Sequence, residues 1–411
     1  MGVYFWIIIG FLLASYFLDN LILLLNTKKQ PKTIPALLDN LMKDEDYQQN
    51  LSYNTDRSIF SFAQSTFSLV LLLSFIFLGG FNLVDQWARS FNFSIVLTGL
   101  LFFGAIGFGS SLLNIPFSLY STFRIEQKYG HNRSTIKTFV TDRLKGLVLA
   151  IIIGAPLLAV VIWFFNSFPL HGWLYAWGLV VTFSIVMSFI APVLLFPLFN
   201  KFDPLTDEDL NEKIQSYAKD QNFSLKGIFQ MDGSKRSNKL NAFFTGFGKY
   251  RRIVLFDTLL EKLDHDEIIA VIAHEMGHYK KKHLYSGLVI STLSSFVMFY
   301  VLSIFISDQA LFSVFGIQEV SVYAGMMFFS FLYSPVEMVL SILGNFLSRK
   351  HEYEADAYAA SSTGLAKKLI SSLKKLSFNN MSLLLPSKLD VFFHYTHPPL
   401  SQRIAALEKQ A

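Results

Sequence analysis

The sequence predicts an all-α membrane protein with seven transmembrane helices and a small α+β domain outside the bilayer. The first observation is composition, since 52% of the 411 residues are hydrophobic and only 16% are charged, whereas soluble domains carry nearer a quarter charged residues. The second is that seven stretches are long and apolar enough to cross a hydrocarbon core about 30 Å thick. The third is that the loops between these stretches alternate between basic and nearly uncharged.

The seven stretches give the chain its order. They lie at about 4–26, 63–81, 94–118, 146–165, 172–198, 284–306 and 322–346. The first is expected to be a retained span, because the residues before it lack the basic region and cleavage site of a signal peptide. Carboxylates occur in the first and last stretches, and the one deep in the last, Glu337, predicts a wet or paired interior.

Four regions follow from this order. They are spans one to five (1–198), a polar segment (199–283), spans six and seven (284–346) and a polar C-terminal segment (347–411). Two spans return the chain to the side from which it left, so we expect the two polar segments to meet and form one site.

The basic residues predict the orientation. Lys and Arg are frequent after spans one and three and in both polar segments, whereas the loops near 82–93, 166–171 and 307–321 hold only Arg89 between them. The positive-inside rule then places the N-terminus outside and both polar segments and the C-terminus in the cytoplasm. The net charge of +5 is too modest to predict nucleic-acid binding. The absence of cysteine excludes disulfides, Cys-ligated zinc and a thiol nucleophile.

The segment "VIAHEMGHYKKKH" at 271–283 carries the strongest chemical signal. On a helix, His274 and His278 are one turn apart and project from one face, so both imidazoles can bind one Zn²⁺. Glu275 lies beside them, where a carboxylate can take the proton of a water that attacks a carbonyl. The alternative is a solvated helix end with incidental histidines, which the three lysines at 280–282 would favour.

Two further features predict how this helix is built. Asp264 followed by Glu267 resembles a capping box, so the helix is expected over 264–283. Gly277 costs a helix about 1 kcal/mol relative to Ala, which predicts that another backbone or the substrate approaches closely there.

A third metal ligand is expected from "SRKHEYEADAYAA" at 348–360. Glu352 and Asp356 are four residues apart and share a helix face, while Glu354 points roughly the other way. One carboxylate can bind zinc and the other can orient a ligand histidine, and the spacing does not say which does which. His351 is a competing ligand, and a charged solvated helix is the plain alternative.

Two other segments can contribute to a hydrolytic zinc site. In "HYTHPPLSQRI" at 394–404, His397 or Arg403 can donate to the oxyanion of a tetrahedral intermediate. The segments 238–248 and 251–260 are predicted strands joined by a glycine-containing turn. An edge strand beside a zinc site can hold an extended peptide by backbone pairing.

Together these segments resemble the Ste24-type CAAX prenyl proteases, integral-membrane zinc metalloproteases of the M48 family. The resemblance rests on five ordered motifs: "GSKRSNKLNAFFTGF", "RRIVLFDTLL", "HEMGH", "SRKHEYEADAYA" and "HYTHPPLSQRI". It extends to "PLFNKFDPL" at 197–205 and "TDRSIFSF" at 55–62. It implies seven helices that enclose a large water-filled chamber, with one zinc ion per chain at the cytoplasmic end.

The resemblance also assigns individual residues. It implies that Glu352 is the third zinc ligand and Asp356 its supporting partner. It places His397 and Arg403 near the substrate and the transition state. It also implies that Asn241 and Ala242 belong to the edge strand that binds substrate in this family.

The resemblance implies peptide or protein substrates, including prenylated C-termini or misfolded membrane proteins, with membrane lipid around the chain and no nucleic-acid partner. Two departures are relevant to source and specificity. The chain has Lys-Leu-Asn-Ala at 239–242 where relatives often have His-Ser-Asn-Ala, and its C-terminus lacks a dilysine signal. We therefore expect a bacterial homologue in the plasma membrane, or an endoplasmic reticulum protein if the source is eukaryotic.

Two other functions remain as alternatives. One is a multi-pass transporter or channel with a regulatory cytoplasmic domain, which would explain the spans but not the paired zinc motifs. The other is an inactive scaffold homologue, which the presence of every ligand and the base argues against.

Overall fold

The computed structural model describes residues 2–28, 30–31, 33–35, 43–246 and 251–410. Within them, seven helical segments are long and apolar enough to cross a membrane, and each overlaps one of the seven predicted stretches. They are Val3–Lys28, Asp44–Phe77, Ile95–Glu126, Ile136–Ser167, Gly172–Leu198, His283–Phe305 and Val322–Thr363. The predicted count and positions of the spans are confirmed.

The membrane region contains more helix than the spans alone. Its helices in chain order are α1 (Val3–Lys28), α2 (Asp44–Phe77), α3 (Gly80–Ser90), α4 (Ile95–Tyr120), α5 (Ile136–Leu149), α6 (Ala155–Ser167) and α7 (Gly172–Ile190). π-helical turns at Ser121–Glu126, Ala150–Gly154 and Ala191–Leu195 extend α4, α5 and α7. The region near 82–93, expected to be a loop, is largely the helix α3, whose Phe81 packs in the buried core.

A four-stranded sheet belongs to the first polar segment. Its strands are β1 (Phe202–Pro204), β2 (Gly227–Met231), β3 (Ala242–Thr245) and β4 (Arg252–Phe256), in the order β1-β2-β4-β3. β2 and β4 are parallel, and the other two pairings are antiparallel. β3 and β4 confirm the two predicted strands, and β3 forms an edge of the sheet as expected. The turn between them falls mainly outside the described residues.

Short helices surround the sheet. They are α8 (Glu208–Asp220), α9 (Asp257–Leu260) and α10 (His265–Lys280). The second predicted strand, 251–260, is too long, because the chain enters α9 at Asp257, whose carboxylate accepts from the backbone N–H groups of Ser234 and Thr258. A buried cluster that includes Ile253 and Leu255 joins the sheet to α10.

The predicted capping box is confirmed at the start of α10. The Asp264 carboxylate accepts from the Glu267 N–H at 2.9 Å, and the Glu267 carboxylate accepts from the Asp264 N–H at 2.9 Å. The close approach expected at Gly277 is also confirmed, because a Cβ there would lie 3.0 Å from the Cα of Ala355. The backbones of α10 and the last span therefore touch at this glycine.

The remaining helices are α11 (His283–Phe305), α12 (Gln309–Val314), α13 (Val322–Thr363), α14 (Ala366–Asn379), α15 (Lys388–Phe393) and α16 (Leu400–Leu407). α13 is one helix of 42 residues that contains both the seventh span and the whole of the predicted ligand segment 348–360. The last span thus continues directly into the site that it helps to build.

The C-terminal segment is attached to the first span. The Asn26 side-chain amide donates to Asp390 at 2.6 Å and accepts from the Ser387 N–H at 2.8 Å. His394 lies 3.4 Å from Asp19, so the intramembrane carboxylate of α1 has a partner from the C-terminal segment. Glu337 is exposed on α13.

Candidate metal centre

Two helices bring three side chains of the right type to one point. His274 and His278 on α10 and Glu352 on α13 offer ligand atoms that all lie within 4.8 Å of one another. The two Nε2 atoms are 3.2 Å apart. Glu352 places Oε1 3.2 Å from His278 Nε2 and Oε2 3.4 Å from His274 Nε2. Two imidazoles and a carboxylate form the donor set of many catalytic zinc sites, with room for a fourth ligand.

These residues fit a bound metal cation. Glu352 is only 3% exposed, and among the described residues its Oε2 atom has close charged neighbours but no hydrogen bond of good geometry, so a bound cation would satisfy it. Burial alone would lower the pKa of His274, but the Asp356 and Glu352 carboxylates beside it raise it to about 9. The pocket therefore favours one positive charge at its centre, which a proton or a metal ion can supply.

Asp356 and Arg403 support His274 from behind. Asp356 Oδ1 lies 2.8 Å from His274 Nδ1, so a hydrogen bond there holds the tautomer whose Nε2 lone pair faces the centre. Arg403 on α16 donates to both Asp356 oxygens, at 2.8 Å from Nε and 2.6 Å from Nη2. Its third nitrogen, Nη1, lies 3.3 Å from Glu352 Oε2. Most of the guanidinium is thus committed to holding Asp356.

Charge compensation keeps this arginine buried. Burial alone would lower the pKa of Arg403, but the carboxylates of Asp356, Glu352 and Glu275 outweigh that effect and raise it. Glu275 itself is partly exposed on α10. A carboxylate that is partly exposed and next to the metal-ligand face is free to accept a proton.

His397 reaches the centre from the C-terminal segment. Its Nε2 lies 3.3 Å from Glu352 Oε1, and its Nδ1 is 2.9 Å from Thr396 Oγ1. The ring is exposed, as a group that meets substrate needs to be. The other histidine of this segment, His394, instead joins Asp19 and Asp390.

The substrate-gripping residues expected from the resemblance lie outside this cluster. Asn241 and Ala242 are at the start of β3, on the sheet edge, and β3 packs against α10. Asn241 O accepts from the Phe256 N–H at 3.1 Å, so the neighbouring Ala242 directs its backbone groups away from β4. The Ala242 N–H is met by the Asn241 side chain at 2.9 Å.

The structure adds two residues that the sequence reasoning did not place in the site. His283 Nδ1 lies 3.0 Å from His278 Nδ1, and His283 Nε2 lies 3.0 Å from Glu354 Oε2. His351, considered as an alternative ligand, stacks on His283 with ring centroids 3.9 Å apart and is not part of the metal-ligand group. The signal was the third histidine of "HEMGHYKKKH", but on one continuous helix its position would face away from His274.

The fold and this centre define an integral-membrane metallopeptidase, and comparisons with known proteins agree. Residues 24–201 match the family model described as CAAX prenyl protease N-terminal, five membrane helices, and residues 204–411 match that of peptidase family M48. The chain belongs to peptidase family M48.

Relatives of known type cover nearly the whole chain. A CAAX prenyl protease 1 homolog of Arabidopsis thaliana is 34% identical over 98% of this chain and 96% of its own length. The CAAX prenyl protease 1 of Saccharomyces cerevisiae is 33% identical, with 98% and 94% covered. The crystal structure of S. mikatae Ste24p superposes with a TM-score of 0.94 at 33% identity, covering 99% of this chain and 100% of that one. The predicted family and fold class are confirmed.

Proposed function

We propose that this protein is a zinc-dependent endopeptidase that cleaves prenylated CAAX-type C-termini inside a chamber formed by its membrane helices. The observation that carries the proposal is the His274, His278 and Glu352 cluster on two helices that touch at Gly277. When bound, zinc supplies a Lewis acid and lowers the pKa of a water towards 7.

The protein's own groups would perform the remaining steps. Glu275 accepts the proton of the attacking water and delivers it to the leaving amine. His397 donates to the oxygen that becomes negative in the transition state. Arg403 acts mainly through Asp356, because two of its nitrogens bind that carboxylate.

A peptide would lie along β3. The outward backbone groups of Ala242 are available for strand addition once a peptide takes over the N–H that the Asn241 side chain now meets. This pairing requires an extended substrate and contacts only its backbone. Substrate specificity would therefore come from contacts with the side chains and the lipid of the substrate.

Sparse packing of the spans supports a chamber. In the most apolar 18 residues of each span, only 0–17% are buried inside the protein. A helix of a solid bundle buries a stripe about 100° wide or more, so this low burial suits a wall around an open interior. An open, wet interior would also account for the exposure of Glu337 on α13.

For orientation, we propose that the metal centre and C-terminus face the cytoplasm, on the basis of the basic loops. A reporter fused after Ala411 should then map to the cytoplasmic side.

The decisive experiment compares peptidase activity on a prenylated CAAX peptide and on its unmodified form, with and without a zinc chelator. The expected result is cleavage of the prenylated peptide that the chelator abolishes and zinc restores. Glu275→Gln should keep stoichiometric zinc but lose about 10²- to 10⁴-fold in kcat. Full activity in that variant would remove Glu275 as the base, and equal cleavage of both peptides would contradict the prenyl-substrate assignment.

A further inference from the structure

We propose that His283 and Glu354 form a positioning pair that holds His278, as Asp356 and Arg403 hold His274. The inference rests on the proposed metal centre and deepens it. It concerns His278, whose Nδ1 meets no carboxylate among the described residues. The chain of contacts runs from His278 Nδ1 to His283 Nδ1 at 3.0 Å, and from His283 Nε2 to Glu354 Oε2 at 3.0 Å.

The donors and acceptors available determine which atom donates each of these two hydrogen bonds. An ionised carboxylate only accepts, so the proton between His283 and Glu354 belongs to His283 Nε2. A neutral His283 then has a lone pair at Nδ1, which accepts a hydrogen bond from the His278 Nδ1–H. His278 is left with its own lone pair at Nε2, the atom that faces His274 and Glu352. Glu354 thus selects, through His283, the tautomer that a metal requires.

A break in the helix makes this contact geometrically possible. On a continuous helix, His283 would be rotated far from His278. Lys282 instead adopts a left-handed conformation with φ of +61° between α10 and α11. That backbone is unfavourable for a non-glycine residue, and conformations of this kind persist where the surrounding structure over-determines them.

Burial shows that His283, the central member of this chain of contacts, is held in place. His283 is only 8% exposed, although it is the first residue of a membrane span. Its ring is clamped on the other side by His351, at 3.9 Å between centroids with 10° between the planes. The His278 side chain is more exposed than that of His274, at 28% against 10%. It therefore has fewer packing contacts to fix its ring and depends more on a hydrogen-bonded partner.

The test compares two replacements of His283 in the full-length protein. His283→Phe keeps an aromatic ring that can stack on His351 but cannot accept a hydrogen bond from His278. His283→Asn places an amide oxygen near the position of Nδ1, where it can accept from His278. The control is His351→Phe, which keeps the stacking partner and lies outside the hydrogen-bonded chain.

The measurement is zinc affinity by competition with a chelator, beside the visible spectrum of the Co²⁺-substituted protein and thermal unfolding of the metal-free protein. His283→Phe should bind zinc about 10- to 100-fold more weakly and should alter the Co²⁺ spectrum. His283→Asn should bind several-fold more tightly than His283→Phe. His351→Phe should match the wild-type protein, and all metal-free proteins should unfold at similar temperatures.

Three results would overturn the inference. Wild-type affinity in His283→Phe would show that His278 needs no partner. Equal losses in the Phe and Asn variants, or a loss that parallels lower stability of the metal-free protein, would assign His283 to packing alone. A wild-type protein that binds no zinc would instead overturn the proposed function, which is a separable outcome.

Discussion

The contact at Gly277 makes a single methyl group a probe of the metal centre. In Gly277→Ala, the new Cβ would lie 3.0 Å from Ala355 Cα, 3.1 Å from its carbonyl oxygen and 3.2 Å from Tyr358 Cδ1. The two nearest atoms belong to the backbone of α13, so no change of rotamer relieves the clash. Restoring ordinary contact would require the helices to separate by about 0.4 Å, which close-packed interiors resist.

Two effects of opposite sign determine the stability change. Ala favours a helix over Gly by about 1 kcal/mol, while an extra methyl in a packed interface costs about 1–3 kcal/mol. We expect a net loss of about 0–2 kcal/mol in the free energy of unfolding. The same displacement should affect metal binding more strongly than stability. Glu352 and Asp356 lie on the helical turn that contains Ala355, so they would move with it. Since such a site needs its groups within about 0.5 Å, we expect zinc affinity to fall by about ten-fold.

The assay is chelator competition together with chemical denaturation of the metal-free protein. Gly344→Ala is the control, because Gly344 lies on α13, the helix that Gly277 contacts, and a Cβ there meets no atom within 4 Å. That control should keep its zinc affinity and gain up to about 1 kcal/mol. If Gly277→Ala behaves like Gly344→Ala, the reasoning about the helix contact is wrong.

Three other predictions follow from the site. Asp356→Asn removes the closest of the counter-charges of the buried Arg403 and should lower the free energy of unfolding by about 3 kcal/mol, measured by denaturant titration. A loss below about 1 kcal/mol would contradict this. Ala242→Pro removes one outward N–H from an edge strand without breaking a hydrogen bond to β4. The KM for peptide substrates should therefore rise about three- to ten-fold at unchanged metal content. An unchanged KM would argue against strand addition. Because the pKa of His274 is about 9 without metal, zinc binding at pH 7 should release about one proton from this residue. Calorimetry in buffers of different ionisation heat should show that the number of released protons declines as the pH rises through 9. A number that stays constant across this pH range would contradict the prediction.

The sequence was sufficient for features that depend on neighbours along the chain. The spans follow from the length of uninterrupted apolar stretches, and the start of α10 follows from the Asp264 and Glu267 pair. The shared face of His274 and His278 follows from helix geometry alone. Even the glycine contact was predictable, because Gly277 is unfavourable in a helix unless something lies against it.

Features that depend on how helices meet were not predictable in this way. A helical wheel gives directions relative to one helix, so it predicts that Glu354 points away from the site, whereas α11 places His283 on that side of α13. The pairing of Arg403 with Asp356 joins residues 47 positions apart, and no local pattern reveals it. The helix α3 is too short to be predicted as a span, and its buried face, with Phe81 and Ala88 in the core, is defined by its packing against other helices.

The continuity of α13 has a consequence for inhibition. At 1.5 Å per residue, its 42 residues span about 63 Å, from Tyr323, which donates to Asp85 near one end, to Glu352 and Asp356 near the other. Pro335 lies within the helix and removes one of its internal hydrogen bonds, which is where such a rod bends most easily. Because the helix is continuous, a change of this bend would move Glu352 and Asp356, the residues of the proposed metal centre, without any contact at the peptide site. A ligand that altered the bend would therefore act on that centre with neither a zinc-chelating group nor any resemblance to a substrate.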